Sequence, residues 1–228
     1  MQKKGENGTM IVYTVDQGEY ITIEESLRRQ PEGKRSLYVN LTNRCNCACT
    51  FCLRELKKMD SSMTLWLQEE PTVAAVQAML DDVRWEYVRE LVICGFGEPT
   101  MRLADVLEVL RYVKTIQPML PTRLNTNGLS DLLYGRSTAG DFAGGLLDTI
   151  SISLNASTPE RYLELTRSRY GLESHAAMLR FAMDCQRYIP QVVLTVVDQV
   201  ENPAEIAACQ KLCGERGLTL RVRPYEAK

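Results

Sequence analysis

Cys45, Cys49 and Cys52 place three thiols within eight residues at C-x3-C-x2-C spacing. Thiolates are the usual ligands of iron–sulfur clusters, and a four-iron cubane needs four ligands to be closed. Held by three, it keeps one iron open to a small molecule. A fourth thiol, Cys47, stands inside the same run, and four cysteines could also close a zinc site. Structural zinc sites more often draw two pairs of ligands from separate strands or loops. All four thiols here lie in one stretch beside Asn43, Arg44 and Asn46, which favours a cluster over zinc and over metal-free packing.

A second group follows between Glu90 and Thr100. Leu91 to Cys94 reads as a buried strand that breaks into a glycine turn, Gly95, Phe96 and Gly97, ending in Glu98 and Pro99. Glycine lets a backbone approach a ligand closely, and a carboxylate with nearby carbonyls accepts hydrogen bonds from an ammonium group. Further short polar residues mark two other predicted strand ends. Asn125, Asn127 and Gly128 lie at one, and Ser153 and Asn155 at the other. Amides and hydroxyls there suit ribose and carboxylate groups, although Asn-Gly also favours turns on its own account. Arg161 and Arg167 offer a fork for a carboxylate, with solvated surface arginine as the alternative. The sole histidine, His175, opens a helix without a neighbouring nucleophile and reads as structural or surface. Cys185, Cys209 and Cys213 fall on apolar helical stripes, and Cys94 within a strand, all as core packing.

These residues need a scaffold. The 228 residues, 45% hydrophobic and 25% charged with a net charge of -2, suit one globular domain rather than a nucleic-acid or membrane binder. The polar start and the lack of a long apolar run point to the cytoplasm and to reduced cysteines. Residues 1–35 read as a tail with a β-hairpin extension, Ile11 to Val15 and Tyr20 to Ile23 flanking a turn, and residues 36–228 as the core. Strands are predicted near Leu37–Leu41, Leu91–Cys94, Thr122–Asn125, Thr149–Leu154, Val192–Val197 and Leu218–Val222. Helical stripes run through Val73 to Val83, Leu103 to Val113 and Met178 to Tyr188. Alternation implies a parallel α/β sheet, either open and doubly wound or curved into a partial barrel. No domain for auxiliary clusters is expected beyond the sixth strand. The stretch from Leu53 to Pro71, with Arg54, Lys57, Lys58 and Leu65, Trp66 and Leu67, is long enough for a lid or partner-binding loop; the alternative is a core tryptophan with solvated lysines.

The cysteine spacing, with Phe51 just before Cys52, resembles the signature of the radical S-adenosylmethionine (radical SAM) superfamily. Cys94 to Thr100 resembles its Gly-Gly-Glu-Pro element, with Phe96 in place of the first glycine. The strings Asn40 to Arg54, Leu65 to Leu67, Glu70 to Thr72, Cys94 to Thr100, Arg123 to Leu129 and Ser151 to Ala156 are similar to TatD-associated radical SAM proteins. The resemblance implies a partial (β/α)6 barrel, its site at the strand C-terminal ends as in full barrels; the short N-terminal β extension, to about residue 35, departs from the compact start it implies. It implies a 4Fe-4S cluster on Cys45, Cys49 and Cys52 whose open iron takes the amino and carboxylate groups of SAM. SAM-binding residues would be Phe51, Gly97, Glu98, Pro99, Thr100, Asn125, Asn127, Ser153, Asn155 and Arg167; no catalytic residue is singled out. The activity implied is reductive cleavage of SAM to a 5'-deoxyadenosyl radical that removes hydrogen from a substrate. An electron donor such as flavodoxin or ferredoxin and a functional link to a TatD-type hydrolase accompany it. A glycyl-radical activase, a 7-deazaguanine-type synthase and a non-enzymatic iron–sulfur or zinc module are the alternatives.

Overall fold

The computed structural model describes residues 10–56 and 65–225. In chain order these form β1 (Val12–Asp16), β2 (Glu19–Ile21), α1 (Ile23–Arg29), β3 (Arg35–Val39), α2 (Leu53–Leu56), α3 (Val73–Asp81), β4 (Val88–Ile93) and α4 (Leu103–Ile116). There follow β5 (Thr122–Thr126), α5 (Ser130–Tyr134), β6 (Thr149–Ser153), α6 (Pro159–Thr166), α7 (Glu173–Cys185), β7 (Gln191–Val197), α8 (Pro203–Gly214) and β8 (Thr219–Arg223). They divide into two units, 10–44 with 65–124 and 45–56 with 125–225.

In the first unit the hairpin β1–β2 turns through Gln17 and Gly18, both at positive φ, the geometry of a two-residue hairpin turn. β1 pairs antiparallel with β3, β3 pairs parallel with β4, and β4 parallel with β5, in the register Leu37↔Leu91 and Ile93↔Leu124. Leu37, Val39, Leu91, Ile93 and Leu124 are fully buried. Each such side chain contributes roughly 1.5–3 kcal/mol over its exposed state. α4 buries Val106, Val109, Leu110 and Val113 and packs on α3, whose Thr72 cap accepts from Ala75 N at 3.2 Å.

In the second unit β6, β7 and β8 run parallel, in the register Ser153↔Thr195 and Thr195↔Arg221. α7 and α8 cover one face of these strands. A Cβ added to Gly128 would meet Ile152 Cγ2 at 2.7 Å and Met178 Cγ, from α7, at 2.9 Å, so Ile152 points to the helices. Ser151, Ser153, Thr195 and Arg221 alternate onto the opposite face, where Arg221 Nη2 donates to Ser151 Oγ at 3.2 Å.

All six expected strands are present, as are the three helices read from apolar stripes. The N-terminal segment carries more than a hairpin: α1 follows it, capped by Thr22 accepting from Glu25 N, with Glu24 and Glu25 in its first turn and Arg28 and Arg29 in its last. Among the described residues no helix is long and apolar enough to cross a membrane.

Candidate cluster and cofactor site

Beyond β4 the chain passes Cys94 and turns through Gly95, Phe96 and Gly97 to Glu98, which caps a 3-10 turn over Pro99–Arg102. The glycines are required because the chain closes on itself. A Cβ on Gly97 would stand 2.3 Å from Thr42 O and 2.6 Å from Arg44 O, and one on Gly95 1.9 Å from Asn40 Oδ1. Glu98 is 4% exposed and its N–H donates to Arg44 O at 2.8 Å. Its Oε1 accepts from Thr100 N at 3.0 Å and Thr100 Oγ1 at 2.7 Å, and Pro99 needs no partner at the first helical position. A carboxylate with about four acceptor sites, held this way, has the chemistry to receive an ammonium group.

Segment 40–44, which receives the turn, is pinned by residues the sequence reading missed. Asn40 Nδ2 donates to Leu65 O at 2.6 Å. Asn43 brackets Leu67, donating to its carbonyl at 2.6 Å and accepting from its N–H at 2.9 Å. Arg102 Nη1 donates to Leu41 O and Pro71 O, each at 2.8 Å. Glu70 accepts from Arg44 Nε and Nη2, both at 2.9 Å, and from Thr42 Oγ1. Burial works to raise the Glu70 pKa, but the bonds from Arg44 and Thr42 outweigh it and hold the carboxyl below its usual value. The stretch read as a lid or connector is divided. Leu65 and Leu67 are buried, Trp66 is 49% exposed, and Lys57 and Lys58 lie outside the described residues.

The cysteine loop, in the second unit, is fastened by its backbone. Ala48 N donates to Thr166 O and Thr50 N to Leu165 O, both at 2.9 Å, and Arg169 N donates to Asn46 O at 3.1 Å. Leu165 and Thr166 close α6, where the last carbonyls have no helical partner, so the loop satisfies groups the helix leaves open. Cys45, Cys49 and Cys52 are half-buried; Cys47 is buried. Asn127 Nδ2 donates to Asn46 Oδ1 at 2.5 Å and lies 3.7 Å from Cys47 Sγ and 4.0 Å from Cys45 Sγ. Cys47 N donates to Cys45 Sγ at 3.4 Å. Hydrogen bonding to Cys45 and Cys49 pushes the Cys47 thiol up, and the same contact pulls Cys49 below its usual value. Burial raises Cys52.

Among the described residues no three Cys, His, Asp or Glu side chains already stand as a chelating group. The donor chemistry nevertheless fits an iron–sulfur cluster: half-exposed thiols on one loop, Cys49 biased toward thiolate, and N–H donors beside sulfur.

The remaining candidates are placed as follows. Phe51 is half-buried in the turn before Cys52. Asn125, half-buried on β5, carries an Oδ1 with no hydrogen-bond partner among the described residues. Ser153 ends β6. Asn155 is buried at φ 61°, a left-handed backbone that asparagine tolerates, with its N–H on Thr195 O at 3.1 Å and Nδ2 on Ser153 O at 3.5 Å. Arg167 is exposed and caps α6 at φ 47°. Arg161 is a structural residue, paired with Glu201 at 2.9 Å and Glu164 at 2.8 Å. His175 is buried, its Nε2 3.1 Å from Ala156 O, and burial lowers its pKa. Cys185, Cys209 and Cys213 are buried in their helices, as their stripes implied; Cys94 is half-buried just past β4.

Residues 39–213 match the radical SAM superfamily, and the chain belongs to it. The cofactors of that superfamily are a 4Fe-4S cluster and SAM. A probable GTP 3',8-cyclase of Thermococcus kodakarensis is 27% identical over 193 residues, 84% of this chain and 57% of that protein. A GTP 3',8-cyclase of Corynebacterium glutamicum is 31% identical over 193 residues, 82% of this chain and 48% of that one. The chain thus spans about half the length of these curated relatives. Among solved structures, Streptococcus suis SuiB bound to S-adenosylmethionine matches 88% of this chain and 42% of its own, with a TM-score of 0.63 at 19% identity. A radical SAM methyltransferase from Sphaerobacter thermophilus matches 93% of this chain and 64% of its own, with a TM-score of 0.59 at 17% identity. These likenesses show the fold: the α/β fold of radical SAM enzymes, as the sequence implied.

Proposed function

We propose that this chain cleaves SAM reductively to start hydrogen abstraction from an unactivated carbon of its substrate. The supporting observation is the bond from Glu98 N to Arg44 O, which ties the glycine turn to the residue immediately before Cys45. When bound, the reduced cluster supplies the electron that splits SAM into methionine and a 5'-deoxyadenosyl radical. Cys45, Cys49 and Cys52 would hold the cluster, and buried Cys47, the thiol outside the C-x3-C-x2-C spacing, stays outside the ligand set. Glu98 receives the SAM ammonium, Gly97 keeps the turn close, and Pro99 and Thr100 fix the carboxylate. Phe51, Asn125, Asn127, Ser153 and Asn155 serve the nucleoside and methionine groups, and Arg167 the carboxylate. A flavodoxin or ferredoxin delivers the electron, and the substrate belongs to a process shared with a TatD-type hydrolase. Residues 36–228 form the working domain and residues 1–35 an extension of it.

Anaerobic incubation of the reconstituted protein with SAM and dithionite tests this. 5'-Deoxyadenosine should form with the parent and not with Cys49→Ala. Its absence from cluster-loaded parent would sink the reading. The names of the curated relatives favour a second reading, conversion of GTP. GTP added to the same assay decides it by whether GTP is consumed.

A further inference from the structure

Two departures from the superfamily pattern, the N-terminal hairpin and Phe96 in the glycine turn, meet in one aromatic cluster. Tyr13 of β1, Tyr20 of β2 and Met10 are buried together with Leu65, and Tyr38 and Phe96 pack against them. Tyr13 stacks on Tyr38, its partner across the strands, with centroids 5.2 Å apart and planes 20° apart. Tyr20 meets Tyr13 edge-on at 5.5 Å and Phe96 edge-on at 6.3 Å. The Tyr13 hydroxyl donates to Cys94 O at 3.2 Å. The turn is therefore held at three points: Cys94 O by Tyr13, the Phe96 ring by Tyr20, and Glu98 N by Arg44 O. A glycine at position 96 would leave Tyr20 no ring to pack on.

We propose that Tyr13, Tyr20 and Phe96 are positioning residues for SAM: the hairpin braces the Gly97–Glu98 turn in the geometry that receives the SAM ammonium, which makes the N-terminal segment part of the cofactor site's machinery. This rests on the reading of Glu98 as the ammonium acceptor. The brace should act on SAM affinity, because Tyr13 and Tyr20 meet the turn itself, at Cys94 O and at the Phe96 ring.

The experiment is a SAM titration followed by the EPR signal of the reduced cluster. It uses reconstituted parent, Tyr20→Ala, Tyr20→Phe, Phe96→Gly, Phe96→Leu, the double variant Tyr20→Ala/Phe96→Gly, and Glu98→Ala. Aromatic pairs of this kind translate into roughly a threefold to tenfold rise in Kd for Tyr20→Ala and Phe96→Gly. The double variant should be no weaker than the worse single one, since both remove the same contact, and Tyr20→Phe should bind as the parent does. Iron content and the SAM-free signal should stay unchanged throughout, and Phe96→Leu should fall between parent and Phe96→Gly. Parental Kd in Tyr20→Ala and Phe96→Gly, with Glu98→Ala weakened, would overturn the brace and keep the turn. Parental Kd in Glu98→Ala as well would remove the turn from the SAM site and the brace with it. Loss of iron in Phe96→Gly and Phe96→Leu would equally overturn the proposal, because the ring would then support the cluster.

Discussion

The Gly95–Thr100 turn and the Cys45–Cys52 loop carry the two signature motifs, yet the chain holds them by different means. The turn is packed to the limit: glycines pressed on backbone, a buried Glu98 bonded at its N–H and its carboxylate, and a receiving segment pinned by Asn40, Asn43, Glu70 and Arg102. The loop is fastened mainly by its main chain, to the end of α6 and to Arg169, with the Asn127 amide on Asn46, and among the described residues its thiols do not stand as a chelate. One motif is preorganised for an organic ligand by packing. The other is held through its backbone and offers thiols on one short loop, the donor chemistry that a metal cluster takes.

The contrast breaks most readily at the loop. Cys45→Ala, Cys49→Ala and Cys52→Ala should each abolish the cluster after anaerobic reconstitution, whereas Cys47→Ala should retain it. Iron analysis and EPR on the four variants check this; loss confined to Cys47→Ala would reverse the ligand assignment. Gly97→Ala is next in size. With its methyl group 2.3 Å from a backbone oxygen the turn must shift, and SAM affinity should fall at least about tenfold, or ~1.4 kcal/mol, while iron content holds. If iron is lost together with SAM binding, the two motifs are not held independently.

Asn43→Ala sharpens the comparison on the side of stability. It strips both bonds from the buried Leu67 main chain and should lower unfolding free energy by about 1–3 kcal/mol in denaturant titrations, with little change in iron content. The smallest effect concerns the second unit, where burial depresses the pKa of His175 beside Ala156. Above the usual histidine value, about 6.5, both folded and unfolded forms are neutral and no stability depends on it. As pH falls below that, the unfolded chain takes up a proton that the folded one resists, so stability drops by up to ~1.4 kcal/mol per pH unit. Denaturation midpoints between pH 7.5 and 5.5 should decline more steeply in the parent than in His175→Gln.

Much of this was legible in the residues. The six strands β3 to β8 and the helices α3, α4 and α7 follow from apolar periodicity, because each buries a regular stripe. α1, α5 and α6 are too short for periodicity to speak, at 7, 5 and 8 residues, and are set by caps and end charges instead. The cysteines and the Gly-Glu-Pro turn announce themselves by spacing. Asn40, Asn43, Glu70 and Arg102 do not, since their partners, main-chain groups or for Glu70 the Arg44 and Thr42 side chains, lie 24 to 61 residues away in sequence, and such pairings leave no local pattern. Gly97 has a further reason that spacing does not show: a side chain there would meet the chain's own carbonyls.

The thiols outside the loop have a practical consequence. Burial raises Cys213 to about 11 and Cys209 to about 12, and pushes Cys185 up as well. The thiolate is what attacks an alkylating reagent, so at neutral pH these three should react slowly in the folded protein. In a mass-spectrometric count of alkylated cysteines taken before and after exposure to air, the rise in label on Cys45, Cys49 and Cys52, with Cys94 as the half-buried reference outside the loop, then follows the sulfurs that iron has released.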